Sequence, residues 1–305
     1  MFSDLPLDAK AWPRRGQALA AWLASGVDAF QQLSNQHNSE PAFDSVAHHD
    51  TLTVSADTPS LARAGPWFAT LTMVGAGELV RSLAVLLDAS SSVPLTRGYI
   101  PIVRSIQEHL GRVVWLCEPG SIVSGPGDVL MNPLEDNWAE RRHRALLAAT
   151  EWYDDAASHF ALIEPESANH TEAEAERDKL RPLVRSSRKG HPERGGAPPG
   201  TTFFAERVVA VSTQLHGATG RVPGRAAYKR LSETSHGGLF GLHGDKSIND
   251  TGRYVFVQSD ADLDAVASNV ASFWGTAMLL LGGYLGWDAE AALEPFHQTW
   301  SGLYP

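Results

Sequence analysis

The side chains able to do acid–base chemistry gather most densely in Tyr228-Lys-Arg-Leu-Ser-Glu-Thr-Ser-His236, a polar stretch inside a region that is otherwise packable as helix. On a helix, Ser232 and His236 stand one turn apart and Glu233 reaches His236 at i, i+3. A hydroxyl or a carboxylate can therefore orient the imidazole as a general acid or base. Arg230 stands six residues before His236; related spacings recur at Arg104/His109 and Arg185/His191, but only at Arg230 does the pair fall in a polar stretch of a packable helix. Arg104 and Glu108 form a second, simpler pair at i, i+4, whose ordinary role is a helix-surface ion pair.

Other chemistries lack a residue that they need. Glu-x-x-His occurs twice, at Glu233/His236 and Glu294/His297. A di-iron bundle requires two further helices that each donate a Glu. Glu108 or Glu151 fits the first donor, but between His236 and Glu294 the only glutamate is Glu290, on the same helix as Glu294. Pro295 reads as the start of that helix. His48-His49-Asp50 is expected in a loop, and the lone cysteine, Cys117, ends an apolar helix and reads as a small buried hydrophobe. Gly125-Pro-Gly127 has no Walker lysine after it. No metal and no cofactor are expected.

Tyr228, Leu231 and Ser232 ahead of a late histidine, with Arg230 before His236, resemble two groups: the HEPN class of helical domains and uncharacterised abortive-infection-like helical proteins. The resemblance covers roughly twenty residues. It implies a metal-independent RNase with Arg230 and His236 as its catalytic pair, and Arg104 ahead of Glu108 matches a feature of the abortive-infection-like proteins.

These residues have to be positioned by helices. From 14 to 35, Leu19, Trp22, Leu23, Val27, Phe30 and Leu33 recur at spacings of three and four, the pattern of an amphipathic helix. Further helices are predicted from Pro66 to Asp88, Ile100 to Cys117, Pro133 to Ile163, Thr202 to Leu215 and Arg225 to Leu242, with a last one from Asp288, a helix-capping acid, to Trp300. The Pro66–Asp88 helix, with only Glu78 and Arg81 charged before its end, is expected inside the bundle. Ala265 to Trp287 is 23 residues without a charge, flanked by acids and by no Lys or Arg. It reads as a buried central helix and not as a membrane span. Asn35–Ser60 reads as a long surface connection, Arg253–Gln258 as one short strand, and Glu164–Gly200 as a charged stretch too poor in apolar residues to order itself.

The fold class that follows is all-α, a bundle of about eight helices with at most one short β element and a charged flexible insertion. Its expected divisions are an N-terminal half over 1–163, the insertion or linker over 164–201, and a C-terminal half over 202–305 that packs on the first. The 305 residues carry 35 Asp and Glu against 25 Lys and Arg, a net charge of -10 that opposes general DNA binding and leaves RNA a local site at most. One cysteine fits a reducing compartment, and the N-terminus has no signal-peptide pattern, so a cytoplasmic address is expected.

The leading functional expectation is a HEPN-like defence or stress protein acting on RNA through Arg230 and His236, with Tyr228, Ser232, Glu233, Arg104 and Glu108 as neighbouring polar candidates. The alternative is a binding module without catalysis. It would use nine tryptophans as an aromatic pocket for an apolar or planar ligand, or apolar helices as a homo-oligomer or partner face. A third possibility is that the basic segment Arg177 to Arg194 contacts a polyanion.

Overall fold

The computed structural model describes residues 12–55, 64–89, 98–119, 121–125, 128–131, 135–191, 194–216, 246–248, 254–256 and 260–303. Within them are α1 (Trp12–Gln36), α2 (Val46–Ser55), α3 (Ala64–Ala89), α4 (Tyr99–Cys117), β1 (Ser121–Gly125), β2 (Asp128–Met131), α5 (Glu135–Ile163), α6 (Ala168–Arg188), α7 (Thr201–His216), β3 (Lys246–Ile248), β4 (Tyr254–Phe256), α8 (Asp260–Leu285) and α9 (Ala289–Leu303). The protein is an all-α helical bundle. Its strands form two small antiparallel hairpins, β1 with β2 and β3 with β4. The expected strand at 253–258 is β4; the first hairpin lies in what the Gly/Pro content marks as loop.

Helix α8, uncharged after Asp264, sits at the centre, packed on α1, α4 and α7 and touching α2, α3 and α9 as well. Its apolar second half, from Val270 to Leu285, has no polar side to turn outward, so burial is its stable placement. Trp274 of α8 is almost wholly buried and donates its indole N–H to the Gly26 carbonyl at 3.0 Å. Trp22 on α1 stacks on Phe296 of α9 and donates to its carbonyl at 3.1 Å. One continuous core therefore takes side chains from α1, α3, α4, α5, α7, α8 and α9.

Helix ends are closed by local chemistry. Asp288 caps α9, accepting from the Ala291 N–H at 3.0 Å as its sequence position predicts. At the end of α8, Gly286 takes φ +71° and Trp287 N–H returns to the Gly282 carbonyl at 2.9 Å, a left-handed turn that glycine makes without a Cβ clash. A Cβ at Gly286 would also meet that of Ser45 at 2.8 Å, because the 37–45 turn docks here: Ala42 N–H donates to Leu285 O and Trp287 donates to Glu40 O.

Four expectations change. The Asn35–Ser60 connection contains α2, which the Ser45 hydroxyl caps by accepting from the His48 N–H and which Ala47 and Asp50 anchor in the interior. Helix α9 begins at Ala289, so Pro295 lies inside it and does not start it; buried Leu293 and Phe296 hold the helix across the proline. Within the charged stretch 164–201, residues 168–188 form α6, whose Leu180 and Val184 reach the core while its charges pair along the surface. Arg194 fastens the following turn to Glu140 at 2.9 Å. Finally, α3 is not enclosed: one row of it faces solvent, as described below.

Candidate functional site

Burying a charge is costly unless its partners come with it, and the interior of this bundle contains one such set. Asp50 of α2 accepts from Arg141 of α5 through both oxygens, at 2.7 and 3.0 Å, and from the Tyr284 hydroxyl of α8 at 3.2 Å. The third guanidinium nitrogen of Arg141 donates to the Pro119 carbonyl at 2.9 Å. Burial raises the Asp50 carboxyl above its ordinary value even against Arg141 and Tyr284. Desolvation likewise pushes up the Tyr284 hydroxyl and the neighbouring Cys117 thiol, which leaves that cysteine protonated and unreactive. Every polar atom of this set is committed to another, so it joins α2, α5, α8 and the end of α4 and leaves no open position for a substrate.

A second chain of charges runs beside it in alternating sign. Arg207 of α7 binds Glu118, Arg144 approaches Glu118 at 3.9 Å and bonds Glu140 at 2.7 Å, and Glu140 holds Arg194 at 2.9 Å. Desolvation works to raise the Glu140 carboxyl, but the two guanidiniums outweigh it and hold it below its ordinary value. His143, next on α5, lies against Ser187 Oγ at 2.8 Å and the Gly195 carbonyl at 3.0 Å. Since a carbonyl only accepts, Nε2 carries the proton in that contact. Burial lowers the His143 pKa, with Arg194 and Arg188 adding to the effect against the Gly195 carbonyl and Glu140.

Of the residues singled out in sequence, Tyr228, Arg230, Ser232, Glu233 and His236 lie outside the described residues, so the RNase reading takes no support from geometry. Arg104 and Glu108 make their ion pair, Nε to Oε1 at 2.8 Å. His109 keeps its Nδ1 on the Ser105 carbonyl at 2.7 Å. His48-His49-Asp50 is helical, and its Asp50 is committed to Arg141. Glu294 accepts from Gln298 on the surface of α9. Of the basic segment, Arg177 and Arg181 bind Asp154 and Arg194 binds Glu140, so part of the charge offered to a polyanion is neutralised within the chain.

The tryptophans divide in a way that composition does not reveal. Trp22, Trp115, Trp274 and Trp287 are buried in the core; a hollow on α1 is lined instead by polar Asp28, Gln31, Gln32, Asn35 and Gln36. Trp67 and Trp152 instead stand on the surface, 48% and 46% exposed, with their rings edge to face at 5.6 Å. Trp67 heads a row on α3 in which Leu71, Val74 and Val85 are also exposed. These positions fall within about 60° of one another around the helix. The spacing was visible in the sequence. Which row of an almost uniformly apolar helix faces outward depends on α1, α4 and α5 taking the other sides.

Compared with known proteins, the chain matches no protein family, no curated protein and no solved structure.

Proposed function

We propose that this chain is a helical scaffold without catalytic activity that pairs with a second copy of itself along the exposed row of α3. The observation that supports it is the surface formed by Trp67, Leu71 and Val74 together with Trp152. Exposed apolar side chains that are contiguous on a rigid helix are a recurrent sign of an interaction face. The charges near the row favour a like partner. Glu78 is the one charge among the exposed positions 67, 71, 74, 78 and 85 of the row, and Arg81 beside it is bonded to Asp28 and Gln31, so the face is apolar apart from a single acid. A two-fold axis sets such a row against its own copy, and apolar composition is what distinguishes homodimer interfaces. The buried ion pairs fit the same reading, because each of them fixes one part of the bundle to another.

Sedimentation velocity of the full chain at about 1 to 100 μM tests this. The expected result is a mass rising from 32.9 kDa toward twice that value, and a Trp67→Ser/Leu71→Ser variant that stays monomeric with an unchanged melting temperature. A wild type that is monomeric throughout, a variant that still dimerises, or binding of the wild-type row to neutral lipid vesicles instead of to itself would each overturn it.

A further inference from the structure

We infer that the outer part of the α5–α6 hairpin is a docking arm for a cationic amphipathic helix of a protein partner. Helix α5 has 29 residues, and its first half lies in the bundle. Beyond Tyr153 it leaves the core: between Glu151 and Glu176 only Ala157 and Ala173 are buried, and neither belongs to the main core. The arm is nevertheless well built. Ser167 caps α6 by accepting from His170 N–H at 3.1 Å, and Asp154 ties the two helices together through Arg177 and Arg181.

Two features of its tip identify what it meets. First, the tip is apolar where solvation alone would favour polar residues: Leu162 is 85% exposed and Ile163 57%. Trp152, His159 and Ile163 lie on a single row of α5, so the exposed apolar tip continues the line of the exposed tryptophan. Second, the charge nearest the tip is acidic: Asp154, Glu174 and Glu176 pair with Arg177, Arg181 and Lys179 further down the hairpin, while Asp155, Glu164, Glu166 and Glu172 lie toward the tip. From Asp154 to Glu176 the chain has seven acids and no Lys or Arg, so 23 residues hold -7 of the net -10. Glu164 and Glu166 bracket the turn immediately after Ile163. Such a surface repels phosphates of nucleic acid and of anionic lipid and attracts a Lys/Arg-rich helix that lays an apolar face over Leu162 and Ile163. The tip adjoins the α3 row at Trp152, but Leu162, Ile163, Glu164 and Glu166 are not part of that row, and a monomer presents the same tip.

The test is fluorescence anisotropy of a labelled synthetic Leu/Lys amphipathic helical peptide titrated with the full chain. A scrambled peptide of equal charge and a Leu/Glu peptide serve as comparators. Saturable binding of the Leu/Lys peptide is expected, weakened at least about tenfold by Leu162→Ser/Ile163→Ser and also by Glu164→Gln/Glu166→Gln. Glu290→Gln/Glu294→Gln on α9 removes equal charge elsewhere and should change the Kd by less than about twofold. The tip side chains are exposed, so all variants should keep the wild-type melting temperature. No saturable binding, equal binding of the scrambled peptide, or insensitivity to the tip variants would overturn the proposal, as would preferential binding of phosphatidylglycerol vesicles. A monomeric wild type in sedimentation leaves this test intact.

Discussion

With each guanidinium nitrogen bonded, two to Asp50 and one to the Pro119 carbonyl, Arg141 is buried with a partner on all three nitrogens. Removing one partner leaves the other charged and dry. Asp50→Ala or Arg141→Met alone should therefore cost ~3–5 kcal/mol in urea unfolding, and the double variant should cost clearly less than the sum. Additive losses would mean that the pair is not coupled. His143 gives the pH dependence at this scale. Its folded pKa lies below the ordinary 6.5, so as pH falls through 6.5 the unfolded chain takes up a proton that the folded chain refuses. The stability it contributes at pH 7 is thus lost progressively from 6.5 down to the folded value. Melting temperatures between about pH 5 and 8 should show this slope in the wild type and a flatter one in His143→Gln. None of this site was legible beforehand: Asp50 and Arg141 are 91 positions apart, and Asp50 sits in a segment whose polarity suggested a loop.

Helices are the scale at which the sequence was most readable, because periodicity records which face each one buries. Val103, Ile106, Leu110, Val113 and Val114 mark α4 and are all buried in it. Helix α6 escaped because its apolar content is thin; Ala173, Leu180 and Val184 suffice only because α5 lies alongside. What periodicity cannot carry is how closely two helices approach. A Cβ on Gly111 of α4 would stand 2.0 Å from the Phe204 carbonyl oxygen of α7, so α4 and α7 cross here with backbone against backbone. Gly111→Ala is expected to destabilise by at least ~3 kcal/mol, a large drop for a single methyl group, because backbone cannot swing aside as a side chain does. Calorimetry showing a melting temperature near that of the wild type would refute the crossing.

For the whole molecule, the net charge of -10 turns out to be local: the arm holds most of it, and the α3 row holds almost none. The two proposed contacts should therefore respond differently to salt. Self-association along α3, being apolar, should persist or strengthen at about 0.5 M NaCl, while peptide docking at the arm should weaken several-fold over the same range. If both weakened in parallel, the sedimentation result would have to be assigned to the charged surface. One continuous core takes side chains from both sides of the charged stretch: α6 and Arg194 are both tied to α5, and α7 packs on α4 and α8.

The bond from Trp274 to the Gly26 carbonyl spans 248 positions. At a synthesis rate of ~5–20 residues per second, the chain needs roughly 12–50 s between making α1 and making the helix that covers it. Throughout that interval α3 is the one large partner α1 has, and Trp22 and Phe30 wait for Phe296 and Trp274. The part of α1 that α8 and α9 cover is therefore closed last, after both of those helices have been made.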